Sequence, residues 1–385
     1  WAFCDDFMGI SGGSDDLLRF YSDKLFMCGQ LLLGPDCYNA EKAMEEGFWS
    51  YVQRYTGVLI DLHAATASFD AERYTKLNDL LDMVLAIPRS GHIPLQLAEK
   101  IAGILTWMVR VHQPWRPLIS GFRRCLQGVS SAGPPDTPTS PSNGIESHEA
   151  GMDKLHRDCH ALRDQGLYTI AHPEVGIVPL ARLVPTTQRN DDSSDASVIQ
   201  CGGDACDTGV SVLNITLREM LVVHSGPKFQ AALRRTRISR SSSAVDTEEA
   251  RIAITIAITE FIVIIAFFLQ WPHLVAQTHI LLVVWFSDNE NAVAWAKKGF
   301  AGNPVGQALC RLLGALCYAL GVSVDSLYVS TFANKVADFS SRVLNEDGTI
   351  NRPHLQHFID LNESLERPYT IKAPNASVLM LMDYL

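Results

Sequence analysis

The chain has 385 residues, 47% of them hydrophobic and 19% charged; that length holds two or three domains with ample core, and the balance excludes a disordered polymer. A formal net charge of −10 opposes whole-surface attraction to nucleic acid, because phosphate neutralisation draws on Lys and Arg. Nine cysteines in no regular framework, with no signal peptide ahead of them, fit a reducing compartment, cytoplasm or nucleus.

In chain order, residues 1–62 predict a hairpin and strands, with Gly9-Ile10-Ser11-Gly12-Gly13 as a turn after the acidic pair Asp5-Asp6. Leu77, Leu80, Leu81, Val84 and Leu85 recur at helical spacing over 72–86. Pro94 fits the first turn of a second helix running to about Val111, and Pro114 stops it. Residues 128–151 are rich in Pro, Ser, Gly and Thr, the composition of a disordered linker. His156, Cys159 and His160 lie close enough for a metal knuckle, but no second cysteine pair completes a zinc set.

A polar stretch over 186–197 leads into a strand from Val198 to Asp204, with hairpin partners at 210–213 and 220–224. An apolar helix over 252–269 follows, then a strand over 280–287, further helices and a strand, and a last helix over 334–342. The tail, 343–385, has no readable function; its sequons at Asn362 and Asn375 are chance in a cytosolic chain.

Four acids stand out: Asp204 at a strand-to-turn junction, Glu260 alone in the apolar helix, Asp288 at a strand end, and Asp338 in the last helix. Converged on one point they repel one another unless divalent cations neutralise them, and such a site suits phosphodiester hydrolysis by two metals. The Asp288 strand is expected to lie parallel beside the Asp204 strand, which sets both acids at strand ends facing one crevice. Glu260 then faces the sheet from its helix, and Asp338 reaches in from the last one. Taken singly, Asp204 and Asp288 also read as turn residues and Asp338 as an early-helix acid. Glu260 fits such a role least, because an unpaired buried carboxylate is costly.

Residues 252–269 approach the roughly 20 residues that span a bilayer, but a central Glu260 costs about 2.5–3.5 kcal/mol on insertion. A buried helix carrying one functional acid accounts better for the segment, and no membrane partner is expected; a protein anchored by 252–269 is the competing class.

The order and context of the four acids resemble the ribonuclease H domain of retroelement reverse transcriptases. The matches are Asp204-Ala205-Cys206 with Gly209, the lone Glu260, Ser287-Asp288-Asn289 with Ala292, and Asn334 with Ala337-Asp338 and Ser341-Arg342. Upstream, Phe3-Cys4-Asp5-Asp6 resembles the Asp-Asp hairpin of a reverse transcriptase palm. Asn39 with Lys42, and Tyr55-Thr56-Gly57 running to Ile60-Asp61, resemble the segments that follow it. The resemblance covers most of residues 1–342 and points to retrotransposon Pol, of the kind found in tyrosine-recombinase elements.

The resemblance implies an α/β chain: an α+β palm and thumb remnant, then a ribonuclease H-like mixed five-stranded sheet with flanking helices. The implied domains are a partial palm (1–70), thumb-like helices (71–127), a linker and connection (128–194), the ribonuclease H-like domain (195–345) and the tail (346–385). It implies two Mg²⁺ or Mn²⁺ ions held by Asp204, Glu260, Asp288 and Asp338, with Asp5 and Asp6 as metal-binding acids of an incomplete polymerase site. Its substrates are an RNA–DNA hybrid and template-primer nucleic acid, the RNA strand being distinguished by 2′-hydroxyls in a wide minor groove. Asn289 and Asn334 are expected to support the metal ligands or touch the sugar, Lys297 and Lys298 to meet a phosphate, and Tyr55 and Gly57 to grip the nucleic acid. With no initiator Met, the chain reads as a piece of a Pol polyprotein whose upstream part carries the fingers and the first palm Asp.

The chain departs from the family in three places. No histidine stands in Ser330-Thr331-Phe332-Ala333, Cys206 replaces the usual Ser, and the connection from Leu213 to Ile252 is long. A catalytically inactive relic that still binds nucleic acid is therefore the alternative to an active nuclease.

Overall fold

The computed structural model describes residues 52–55, 58–119, 122, 148–180, 197–206, 208–226, 229, 248–277, 282–345 and 347–384. They fall in two compact units, one of residues 1–76 and 166–181, the other of 77–165 and 182–385. The first contains a four-stranded antiparallel sheet of β1 (Val52–Tyr55), β2 (Val58–Asp61), β3 (Thr66–Ser68) and β4 (Val178–Pro179). Its tight turn at 61–66 carries Ala65 at φ 52, and Asp61 Oδ1 accepts from Ala64 N at 2.8 Å.

Helix α1 (Ala71–Leu85) follows the expected spacing, with Leu77, Leu81 and Val84 fully buried. Helix α2 (Leu95–Val111) starts directly after Pro94, whose fixed φ suits a helix entry. Pro114 does not end helical structure outright: it sits inside a 3₁₀ turn, Gln113–Trp115. Helix α3 (His148–Ala171) occupies part of the segment expected to be linker. Residues 128–147 and 186–196 lie outside the described residues.

The second unit is organised by a six-stranded mixed sheet in the order β10-β7-β6-β5-β8-β9. Its strands are β5 (Val198–Ala205), β6 (Gly209–Asn214), β7 (Glu219–His224), β8 (Leu282–Ser287), β9 (Ser323–Tyr328) and β10 (Thr370–Ile371). β5, β6 and β7 pair antiparallel; β8 joins β5 in parallel, as expected, and β9 joins β8 in parallel. The sheet thus has one strand more than the five expected: β10, from the tail, pairs in parallel with β7.

Helix α4 (Glu248–Gln270) crosses over β5 and β6, with α5 (Glu290–Lys298) and α6 (Pro304–Leu320) against it. Every residue from 257 to 268 is buried, which explains an apolar character on all sides. No helix among the described residues is long and apolar enough to cross a membrane. The opposite face is covered by α7 (Lys335–Ser341) and α8 (Arg352–Glu363), packed over Leu213, Met220 and Tyr369. Strand alternation produces the split: Val212 joins the core beneath α4, and its neighbour Leu213 joins the other.

Gly203 sets how closely α4 approaches β5. A Cβ there would meet Val263 Cγ1 at 2.5 Å and collide with the Ser211 carbonyl. Helix starts follow local chemistry: Asn289 accepts from Ala292 N at 3.0 Å to cap α5, and Asn303 does the same for α6 ahead of Pro304. Gly299 and Gly321 end those helices at φ 62 and φ 66. The tail closes the unit with α9 (Ala376–Tyr384) on α4, where Asn375 Nδ2 donates to Leu269 O at 2.7 Å and its Oδ1 accepts from Val378 N.

Candidate metal centre

Parallel pairing of β5 with β8 puts their carboxyl ends side by side, so Asp204 in β5 and Asp288 just after β8 open on one crevice. Glu260 enters from α4. One ligand oxygen from each of these three acids lies within 4.8 Å of the others. Among the described residues this is the sole cluster of three or more His, Cys, Asp or Glu groups placed to hold a metal; His156, Cys159 and His160 do not form one.

Asp204 and Glu260 are buried. Glu260 Oε1 accepts from Ala205 N at 3.0 Å and Oε2 from the Ser287 hydroxyl at 3.3 Å, so backbone and strand end fix both oxygens. Burial pushes the Glu260 carboxyl well above the usual carboxylate range, and the Asp204 charge beside it adds to the rise. Asp204 is also raised, again chiefly by burial, with the charges of Asp288 and Asp338 adding, while hydrogen bonds from Ser341 and Glu260 oppose the shift.

Asp338 does not join the three. It is half-buried in α7, and its Oδ1 takes Arg342 Nη2 at 2.6 Å, an i,i+4 pair within the same turn. Its charge is nonetheless felt by Asp204.

Two residues of the last motif support the site: Asn334, expected as a support, and Ser341, to which the sequence reading assigns no role. Ser341 donates to Asp204 Oδ2 at 2.6 Å, and Asn334 Nδ2 donates to Gly203 O at 3.0 Å. Both belong to the 334–342 motif, whose spacing of seven residues places them on one side of a short helix. Cys206 Sγ donates to Ser341 O at 3.2 Å, so the residue replacing Ser still ties β5 to α7. Asn289 is engaged as the cap of α5, and its backbone N–H donates to Ser287 Oγ at 3.1 Å.

Lys297 and Lys298 are exposed in the last turn of α5, away from the Asp288 end, where cations complement the helix dipole. The Lys297 carbonyl accepts from Arg116 Nη1 at 3.0 Å. Asp5, Asp6 and Gly57 lie outside the described residues; Tyr55 ends β1, and its side chain also lies outside them.

Three carboxylates with one oxygen of each within 4.8 Å of the others, two of them buried, with Arg342 turned to Asp338 instead, form a hard, oxygen-only donor set. That set fits Mg²⁺ or Mn²⁺ and disfavours soft metals that prefer thiolate or imidazole. Comparison of the chain with family models, with curated proteins and with solved structures finds no match.

Proposed function

We propose that the second unit is a metal-dependent nuclease of ribonuclease H type, cutting the RNA strand of RNA–DNA hybrids. One observation carries the proposal: Asp204 and Asp288 at the ends of two parallel strands, and Glu260 on the helix across them, each bring an oxygen within 4.8 Å of the others. The mixed sheet, with three antiparallel strands continued by two parallel ones and helices on both faces, supports the same family.

In this proposal Asp204, Glu260 and Asp288 hold the divalent ions, and Asp338 neighbours them. Bound there, the ions supply charge compensation to an attacking water and to the leaving 3′ oxygen. Ser341 orients Asp204, Ser287 and the Ala205 N–H orient Glu260, and Asn334 fixes the backbone beneath them. Asp5 and Asp6 belong, by sequence resemblance alone, to an RNA-directed DNA polymerase site.

The engagement of Asp338 by Arg342 favours a second reading, a relic that binds nucleic acid without cutting it. The test incubates the full chain with a labelled RNA–DNA hybrid in Mg²⁺, Mn²⁺ or chelator, with Asp288→Asn beside it. Metal-dependent cutting of the RNA strand, lost in the variant, supports the nuclease. Binding without cutting supports the relic, and neither binding nor cutting overturns both.

A further inference from the structure

The segment between β9 and α7 is held at both ends beside the acidic cluster. Val329 N donates to Ser287 O at 3.0 Å, one residue before Asp288. Asn334 Nδ2 donates to Gly203 O at 3.0 Å, one residue before Asp204. The four residues between, Ser330 to Ala333, therefore bridge the two strand ends that carry the acids. Hydrogen bonds to Ser330 O from Ala333 N at 2.8 Å and from Asn334 N at 3.2 Å fold that bridge into a tight turn.

At its crest stands Phe332, 78% exposed, the most exposed large apolar side chain among the described residues. Two residues span at most about 7 Å, so Phe332 stays close to the Asn334 anchor and hence to the crevice. The Lys335 ammonium lies 3.8 Å from its ring centroid, a cation over an aromatic face. Tyr328, 52% exposed, ends β9 in register with Ser287. An aromatic ring held on a short turn with a cation against it combines the two elements that bind a single strand: a stacking platform for a base and a charge for its phosphate. It also supplies local positive charge where the chain is otherwise acidic.

We infer that the Val329–Asn334 bridge is a substrate contact that receives an unpaired base flanking the cut, Phe332 stacking on the base and Lys335 meeting its phosphate. This rests on the nuclease proposal and narrows it: the preferred substrate is a hybrid with a single-stranded extension rather than a blunt, continuous one, whose internal bases have no free face.

The experiment measures binding of the full chain, in chelator so that no strand is cut, to a blunt labelled hybrid and to the same hybrid with a short single-stranded RNA extension. The wild-type chain is expected to bind the extended hybrid about tenfold or more tightly. Phe332→Ala should erase that preference and Phe332→Trp keep it, whereas a loss of folding weakens both probes alike. Lys335→Gln should lower the salt dependence by about one released counterion. Equal binding of both probes by the wild type, a preference that survives Phe332→Ala, or a salt dependence unmoved by Lys335→Gln overturns the inference. If the wild type still cuts hybrids in any of those cases, the nuclease proposal stands and the bridge alone fails; a chain that neither binds nor cuts sinks both.

Discussion

Ser341 donates its hydroxyl to Asp204 Oδ2 at 2.6 Å across 137 positions of the chain, and both residues are buried. A carboxylate in that setting needs donors to offset its lost hydration. Ser341→Ala removes one and leaves a buried acceptor short. It should lower stability by about 1.5–3 kcal/mol, the range for a hydrogen bond to a charged group. Denaturant unfolding checks it: the midpoint should fall with the slope unchanged. The Cys206 bond to the Ser341 carbonyl survives the change, because it uses backbone, so α7 should stay docked.

Gly203 makes a different demand. A methyl there meets Val263 at 2.5 Å and the Ser211 carbonyl, and one of these two is backbone that cannot rotate away. Gly203→Ala should cost about 1–3 kcal/mol or more through overpacking, and it should push α4, with Glu260, off β5. Gly302→Ala is the control, since nothing lies within 4 Å of a Cβ at that position. Thermal melts of the two variants should differ by several degrees; equal melting temperatures would show that the close approach is not needed.

Asp288 crowds two other carboxylates, so its charge opposes folding when no cation is present. Like charges 4–5 Å apart repel by roughly 1–4 kcal/mol at effective dielectrics of 80 to 20. Asp288→Asn should therefore melt higher than the wild type in chelator. The wild type should gain stability on adding Mn²⁺, and the variant should gain little, because a ligand that binds only the folded state stabilises in proportion to its affinity. A variant less stable than the wild type in chelator would mean that Asp288 is instead structural.

Much of this arrangement can be read from the chain because Asp204 and Asp288 sit at strand ends and Glu260 stands alone in an apolar helix. Asp204 and Asp288 close runs of buried apolar residues, and the apolar run around Glu260 marks a helix buried on all sides. The sixth strand could not be read: Thr370 and Ile371 are both exposed, so two residues carry no alternation to betray pairing with β7. The tail's docking was hidden for a similar reason, since it depends on Asn375 reaching backbone at 269, over a hundred positions away. Helix α3 was masked by composition, its start adjoining a Pro- and Ser-rich stretch. The pairing of Asp338 with Arg342 was visible as an i,i+4 spacing, but the family pattern drew attention to the acid rather than to its neighbour.

His112 lies between α2 and the 3₁₀ turn, 3% exposed, its ring stacked on Trp115 with centroids 5.0 Å apart. Burial holds its imidazole down at about 4, against 6.5 for the free side chain. The folded state thus keeps His112 neutral where the unfolded chain protonates it. The sign follows: its contribution is fully present above pH 6.5 and is lost as pH falls towards 4, a loss of about 3 kcal/mol by pH 4. Asp158 works the other way, because burial raises it to about 6 despite Arg311 at 2.8 Å, so total stability mixes the two. The difference between the wild type and His112→Phe separates them, since Asp158 is common to both. The variant should lose some packing at pH 7.5 and yet fall less on acidification. Unfolding free energies of the pair at pH 7.5, 6, 5 and 4 check this: the gap should shift in favour of the variant chiefly between pH 6.5 and 4. A gap constant over that range would mean that His112 takes up its proton without leaving the folded state.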